Sequence, residues 1–179
     1  MNDIEQRYQQ VQARMRAAAE RAKRPFSAIT LIAVTKRWPV EVLIAARAAG
    51  MTDLGENRAE EMVEKQPSFA NDDSIIWHFI GALQSRKTHL IADHADTFHA
   101  LDRLKIARRL SARLVENGRA STGRLLPVFL EVNISGEASK AGFVADKWAD
   151  DATQRELLRK VVQETAVLPG LQLQGLMTM

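Results

Sequence analysis

The sequence predicts an α/β fold, in which parallel strands form a sheet and helices cover it. Two observations support this prediction. Short apolar runs alternate with segments of helical apolar spacing along the 179-residue chain, and the connections between them are short. An open sheet and a closed (β/α) barrel both fit this alternation. No GxGxxG motif follows the first apolar run, so a dinucleotide-binding open sheet loses its main support.

The N-terminal segment predicts an amphipathic helix that ends before Pro25, because the residue preceding a proline avoids the helical conformation. Asn2 and Glu5 have the spacing of a capping box. One apolar stripe runs along this helix and consists of Ile4, Tyr8, Val11, Met15 and Ala18.

The rest of the chain predicts six strands, each a short apolar run bounded by turn or helix signals. They are Leu31–Thr35, Thr52–Leu54, Ile75–Ile80, Thr97–Leu101, Pro127–Val132 and Leu171–Met177. Helices are predicted between them. Residues near their N-terminal ends are Pro39, the acidic group Glu56, Glu60 and Glu61, then Ser85, Asp102 and Asp150. A polar loop over residues 133–140 separates the fifth strand from the last of these helices.

The composition is that of a globular domain, with 46% hydrophobic and 26% charged residues. The sequence has no cysteine, which excludes disulfides and thiolate chemistry and fits a cytoplasmic location. The first ten residues lack the apolar core of a signal peptide, and no apolar run approaches the roughly 20 residues of a transmembrane helix. We therefore expect a single domain, residues 1–179, that does not enter a membrane.

A net charge of +3 raises the alternative of a basic nucleic-acid-binding module. The densest basic stretch is Arg103 to Arg113, in which apolar residues recur at helical spacing. This spacing indicates that the basic side chains form the solvated face of an amphipathic helix. No aromatic residues lie between them for base stacking, so we expect no nucleic-acid partner.

Polar residues follow the predicted strands, at the edge of the sheet where such folds keep their active sites. Lys36 directly follows the first strand and precedes Arg37, a cation whose charge favours a neutral, nucleophilic amine on Lys36. A lysine that reaches solvent from the strand end explains the same spacing. His78 alternates with Trp77 and Phe79, which fits either a rim pocket or a hydrogen-bonded core histidine. The histidines show no metal-ligand spacing, so we expect no metal site.

Five motifs together resemble the pyridoxal-phosphate homeostasis family, whose fold is similar to the barrel domain of alanine racemase. They are LIAVTK (31–36), GEN (55–57), WHFIGALQSRK (77–87), EVNISGEASKAG (131–142) and LQGLMTM (173–179). Ala82 and Arg86 depart from the family pattern, which usually has proline and often asparagine there.

This resemblance implies a TIM-type (β/α) barrel that carries pyridoxal 5'-phosphate as a reversible Schiff base on Lys36. Asn57, His78, Asn133 and Met177 match positions around the cofactor, and Lys140 matches a second lysine connected with cofactor transfer. The implied role is a non-catalytic carrier that buffers the cofactor and passes it to apo-enzymes that depend on it. The full-length family is expected to be monomeric.

The resemblance leaves a catalytic alternative, an amino-acid racemase that uses the same cofactor. Racemisation needs an acid or base on each face of the substrate carbanion, and alanine racemase uses a tyrosine on one face. The only tyrosine here is Tyr8, in the predicted N-terminal helix, which argues against this alternative.

The resemblance also implies an incomplete barrel. A closed barrel of this type has eight strands, and about six are predicted here. Family members carry their Ser/Gly-rich phosphate loops and a ring-nitrogen arginine beyond the region that matches this chain. We therefore expect a C-terminally truncated family member that lacks the last strands.

Overall fold

The computed structural model describes residues 3–179, so the predicted capping residue Asn2 lies outside the described part of the chain. The α-helices are α1 (Asp3–Arg21), α2 (Val40–Ala48), α3 (Ala59–Lys65), α4 (Thr88–His94), α5 (Leu104–Glu116) and α6 (Ala152–Ala166). The strands are β1 (Ala33–Val34), β2 (Asp53–Glu56), β3 (Ile76–Phe79), β4 (Thr97–Leu101), β5 (Leu126–Asn133), β6 (Phe143–Val144) and β7 (Leu171–Met177).

The strands form one parallel sheet. From β1 to β5 they lie side by side in chain order, and β5 pairs in addition with β6 and β7. Within residues 3–179, β1 and β7 are not paired with each other. Parallel pairing brings the C-terminal ends of the strands to one edge of the sheet, and the loops that follow them meet there.

The two faces of the sheet differ in chemistry. Trp77 and Phe79 of β3 lie on the face covered by helices, where Trp77 packs edge-on against Phe69 at 5.9 Å and Phe79 contacts Phe98 at 5.7 Å. His78 lies on the opposite face beside Asp53 and His99. The alternation predicted for this strand is confirmed, because successive side chains of a strand point to opposite faces.

The alternation of strands and helices is also confirmed, but three strands differ from the prediction. β2 ends at Glu56, two residues beyond the predicted end at Leu54. β1 is shorter than Leu31–Thr35, because it pairs with one neighbour over two residues only. β6 was not predicted at all. It is two residues long and follows Gly142, whose φ of 104° turns the polar loop back towards β5. A strand this short leaves no periodic signal in a sequence.

Two helix starts also differ from the prediction, and a third differs in part. A 3-10 turn, Ser85–Lys87, precedes α4, and Arg103 rather than Asp102 stands at the N-cap of α5, without a side-chain capping bond. The carboxylate of Asp102 instead pairs with Arg103 at 2.6 Å. The predicted negative charge at the start of α3 is supplied by Glu60 and Glu61 in its first turn, whereas Glu56 is the last residue of β2 and is fully buried.

The basic helix α5 has the predicted amphipathic form. Its buried side chains are Ile106, Ala107, Leu110, Ser111 and Leu114. Several of its arginines are ion-paired with neighbouring helices, as Arg108 is with Glu164 and Arg113 with Asp93. These carboxylates neutralise part of the charge that suggested a nucleic-acid site.

Helix α1 is the most exposed of the helices, and Ala19 is its only buried residue. Its predicted apolar stripe is therefore only partly covered. No helix within residues 3–179, α1 included, is both long and apolar enough to span a membrane.

Candidate functional site

Lys36 lies in a tight turn at the C-terminal end of β1. The backbone N–H of Trp38 donates to the carbonyl of Thr35 at 3.1 Å, which closes a four-residue turn with Lys36 in second place. Arg37, in third place, has a φ of +65°. A positive φ at the third residue only is the feature of a type II turn, where glycine is preferred. Lys36 is thus held at the corner of a turn whose backbone is unfavourable for an arginine.

The side chain of Lys36 lines a cavity of about 390 Å³ at the C-terminal edge of the sheet. The loops after β1, β2, β3 and β5 surround this cavity. Its polar lining residues are Lys36, Asn57, Glu131, Asn133, Ser139 and Lys140. The volume lies within the range of about 300–1,000 Å³ that is typical of small-molecule sites. Lys36 itself is exposed, so the structure does not enclose it in a dry environment.

Gly81 allows the loop after β3 to approach the loop after β2. A Cβ atom added at Gly81 would lie 2.2 Å from the carbonyl oxygen of Asn57, closer than any real contact. This close approach brings Asn57 into the same cavity wall as Gly81 and Ala82. Ala82, one of the departures from the family pattern, therefore belongs to the cavity of Lys36.

Asn133 lines the cavity, but its side chain is already engaged within its own loop. Its amide nitrogen donates to the carbonyl of Glu137 at 2.8 Å, and its amide oxygen accepts from the N–H of Gly136 at 3.0 Å. The loop held in this way carries Ser139 and Lys140 to the cavity wall. Lys140 forms an exposed ion pair with Glu137 at 3.0 Å. The structure thus favours a positioning role for Asn133.

His78 does not line the cavity. Its Nε2 lies 3.0 Å from Asp53 Oδ1, and its Nδ1 lies 2.9 Å from Nε2 of His99. Hydrogen bonds therefore connect His99 through His78 to Asp53. His99 also stacks on Phe129, with 4.8 Å between ring centroids. Burial, together with the neighbouring His78, lowers the pKa of His99 to about 4.

Asp53, His78 and His99 therefore form a hydrogen-bonded network on the face of the sheet opposite to the helices (the inner face). Both ring nitrogens of His78 are occupied by protein partners. Within residues 3–179, no group of three or more histidine, aspartate or glutamate side chains is arranged to hold a metal ion.

Met177 is partly buried at the end of β7, in register with Glu131 of β5. The methionine that lines the cavity is Met179, two residues further on. The structure therefore brings Lys36, Asn57 and Asn133 together around one cavity, and places His78 and Met177 outside its lining.

Sequence reasoning missed Glu131, a carboxylate in the cavity wall that is only 6% exposed. Burial, and then the charge of Asp102, raises the pKa of Glu131. Burial likewise raises the pKa of Asp102 against the opposing charge of Arg103. An acidic residue inside the apolar run PVFLEV was the available signal, because such a residue in a strand marks the polar face of a sheet.

The parallel sheet and its helices place the fold among barrel-like α/β proteins. Residues 7–179 match the family described as alanine racemase, N-terminal domain. An alanine racemase from Clostridium difficile has the same fold, with a TM-score of 0.59 at 15% identity over 84% of this chain and 35% of that one.

The sequence relatives define the family more narrowly. The chain is 43% identical over 175 residues to the pyridoxal phosphate homeostasis protein of Pasteurella multocida, covering 97% of this chain and 69% of the relative. It is 40% identical over 177 residues to the protein of that name from Pseudomonas aeruginosa, covering 99% and 70%. The chain therefore belongs to the pyridoxal phosphate homeostasis protein family.

Solved structures agree with this assignment. PipY of Synechococcus elongatus without pyridoxal phosphate has a TM-score of 0.72 and 31% identity, covering 91% of this chain and 68% of that one. PipY with the cofactor bound has a TM-score of 0.69 and 29% identity, covering 92% and 68%.

Proposed function

We propose that this protein binds pyridoxal 5'-phosphate through the amine of Lys36 and serves as a reversible carrier of the cofactor. The observation that carries the proposal is the cavity of about 390 Å³, in which Lys36 faces the loop of Ser139 and Lys140. The names of the sequence relatives and the cofactor-bound PipY structure support the choice of ligand.

The residues of the cavity fit the chemistry of this cofactor. When bound, pyridoxal phosphate supplies an aldehyde, which a neutral lysine amine converts reversibly into a Schiff base with loss of water. Lys140 and Ser139 offer a positive charge and a hydroxyl to an anionic group on the other side of the cavity. Asn57 and Gly81 form the wall between the loops of β2 and β3.

The other predicted site residues support this arrangement through the fold. Asn133 fixes the loop of Lys140 through its bonds to Glu137 and Gly136. His78 and its two partners shape the inner face of the sheet beneath the cavity rim. Transfer to apo-enzymes, a monomeric state and a cytoplasmic location stay predictions that rest on the family resemblance and on the sequence.

The test is to identify the lysine that forms the covalent bond. Borohydride reduction of protein incubated with pyridoxal phosphate should fix the pyridoxyl group on Lys36, as located by peptide mapping. Lys36→Ala should lose both the label and the visible absorbance of the bound cofactor. Lys140→Ala is the matched control, because it removes a lysine from the same cavity. At saturating pyridoxal phosphate it should keep the label on Lys36, although it should bind the cofactor more weakly. Label on Lys140 with Lys36 unmodified would overturn the assignment.

A further inference from the structure

A buried ionic cluster holds the turn that carries Lys36. It consists of Glu56 at the end of β2, with Glu61 and Lys65 of α3. Lys65 Nζ lies 2.6 Å from Glu56 Oε1 and 2.9 Å from Glu61 Oε1. The side chain of Glu56 is fully buried, and that of Lys65 is 8% exposed.

This cluster binds the backbone on both sides of Lys36. Lys65 Nζ donates to the carbonyl of Thr35 at 3.0 Å, and Glu61 Oε1 accepts from the backbone N–H of Arg37 at 2.6 Å. That carbonyl belongs to the peptide bond before Lys36, and that N–H to the peptide bond after it. Both peptide groups that flank the Lys36 Cα are therefore fixed by one ammonium–carboxylate pair.

The side chain of Thr35 adds a third connection, because its hydroxyl donates to Glu56 Oε1 at 2.8 Å. The contacts lie on the helix-covered side of the strand. Glu61 and Lys65 line a larger neighbouring cavity of about 1050 Å³, which shares Asn57 and Ala82 with the Lys36 cavity but is not lined by Lys36. The cluster thus reaches Lys36 only through its backbone.

The cluster is poorly explained by stability alone. Two carboxylates share one ammonium, and within residues 3–179 the buried Glu56 Oε2 has no hydrogen-bond partner. Buried ion pairs often add little net stability, because desolvation offsets their attraction, but their directional bonds fix one geometry. The geometry fixed here includes the positive φ of Arg37, which is unfavourable for a residue with a Cβ.

Burial alone would raise the pKa of Glu61, but the hydrogen bonds from Lys65 and from the Arg37 backbone outweigh it and lower that pKa. Glu61 is therefore ionised at neutral pH, as a strong acceptor for the Arg37 N–H must be. The cofactor-free protein therefore already has the Glu61 carboxylate as acceptor for the Arg37 N–H.

We infer that Glu61 and Lys65 are positioning residues for Lys36, which hold its backbone so that the amine projects into the cavity. This inference rests on the proposed function, because it assigns these residues a role in cofactor binding. A reactive amine on a flexible turn would lose alignment with the bound aldehyde, and small misplacements of a reacting group reduce its effectiveness strongly.

The experiment compares Glu61→Ala with Glu60→Ala. Glu60 is the adjacent residue of α3 and forms an ion pair with Lys87, so it is a matched acidic control that does not contact the turn. Two quantities are measured. One is the hydrogen-exchange rate of the Arg37 amide in cofactor-free protein, and the other is the dissociation constant for pyridoxal phosphate from a spectrophotometric titration.

Glu61→Ala should increase both quantities by about tenfold, the order expected for the loss of a charge-assisted hydrogen bond. Glu61→Gln keeps an oxygen acceptor and should restore a large part of each. Glu60→Ala should leave both within about twofold of wild type, as exposed ion pairs contribute little. A role limited to folding would lower the unfolding midpoint without this selective effect on the Arg37 amide and its rescue by glutamine.

Wild-type values of both quantities in folded Glu61→Ala would overturn the positioning role. If Glu61→Ala does not fold, Glu61→Leu takes its place, because it fills the same space without an acceptor, and an Arg37 exchange rate equal to that of Glu60→Ala would then overturn the role. Failure of the proposed function is distinguishable, because wild-type protein would then show no borohydride label on Lys36, whereas the Arg37 exchange rates would still report on the cluster.

Discussion

At the scale of single residues, Glu131 is a charged group in an environment that disfavours its charge. It is a carboxylate buried in the wall of the Lys36 cavity, with its pKa raised by burial and by Asp102. The folded state therefore holds the proton of Glu131 more tightly than the unfolded state does. A group of this kind stabilises the fold below its unfolded pKa, and that contribution is lost as the pH rises through its folded pKa.

Replacement of Glu131 by glutamine should accordingly raise the free energy of unfolding at pH 7. The gain over wild type should shrink as the pH falls towards 4, since protonation of the wild-type carboxyl relieves the same penalty. Urea unfolding of both proteins at several pH values measures this difference.

Glu137, in the connection that follows β5, is a control whose pKa is shifted in the opposite direction. Its pKa is lowered by the hydrogen bonds from Lys140 and Ser135, so Glu137→Gln should slightly lower stability at pH 7, and the loss should disappear in acid. A Glu131→Gln protein that is less stable than wild type at pH 7, or whose difference does not change with pH, would contradict the interpretation of Glu131.

At the scale of elements, the cavity depends on how closely the ends of neighbouring strands approach one another. The tightest approach is at Gly81, just after β3, where the backbone of Asn57 occupies the space of a side chain. Gly175 in β7 differs, because a Cβ there would meet Phe129 at an ordinary 3.6 Å. The two glycines allow the same substitution to be compared in two packing environments.

Gly81→Ala should destabilise the protein by about 1–3 kcal/mol, the usual range for overpacking against atoms that cannot easily move. It should also weaken binding of pyridoxal phosphate, because the loop of Asn57 must shift at the cavity wall. Gly175→Ala should change stability by less than about 1 kcal/mol. Chemical denaturation and cofactor titration of both variants test this, and equal effects of the two substitutions would contradict the proposed close contact.

The elements also show how far the sequence could predict this structure. Short apolar runs separated by helical patterns were sufficient to predict the α/β class. The alternation of residues around His78 correctly predicted which side chains lie on each face of β3. Local patterns do not specify which partner a polar side chain will find. The sequence pattern around His78 favoured a hydrogen-bonded core histidine over a cofactor pocket, but it could not name Asp53 and His99 as its partners. Lys65 gave no signal of burial, since a lysine on a helix is usually exposed.

At the scale of the whole molecule, different residues lie at the two ends of the parallel strands. Lys36, Asn57, Asn133 and Lys140 meet at the C-terminal edge. Tyr8 lies elsewhere, because its hydroxyl donates to the carbonyl of Gly50 at 3.4 Å. Gly50 belongs to the connection that enters the N-terminal end of β2, so this contact is at the opposite edge of the sheet from the lysine.

This separation bears on the racemase alternative, which the fold alone does not decide. Racemisation needs a proton donor or acceptor on each face of the substrate carbon, and Lys36 can serve only one face. The only tyrosine of the sequence is held at the other edge and cannot supply the second group.

We therefore predict that protein incubated with pyridoxal phosphate interconverts D- and L-alanine no faster than the free cofactor at equal concentration. A chiral assay of alanine, with a known alanine racemase as positive control, measures this rate. Steady-state turnover near the roughly 10 per second of a typical enzyme would contradict the carrier proposal, because a second catalytic group would then have to lie in the cavity beside Lys36.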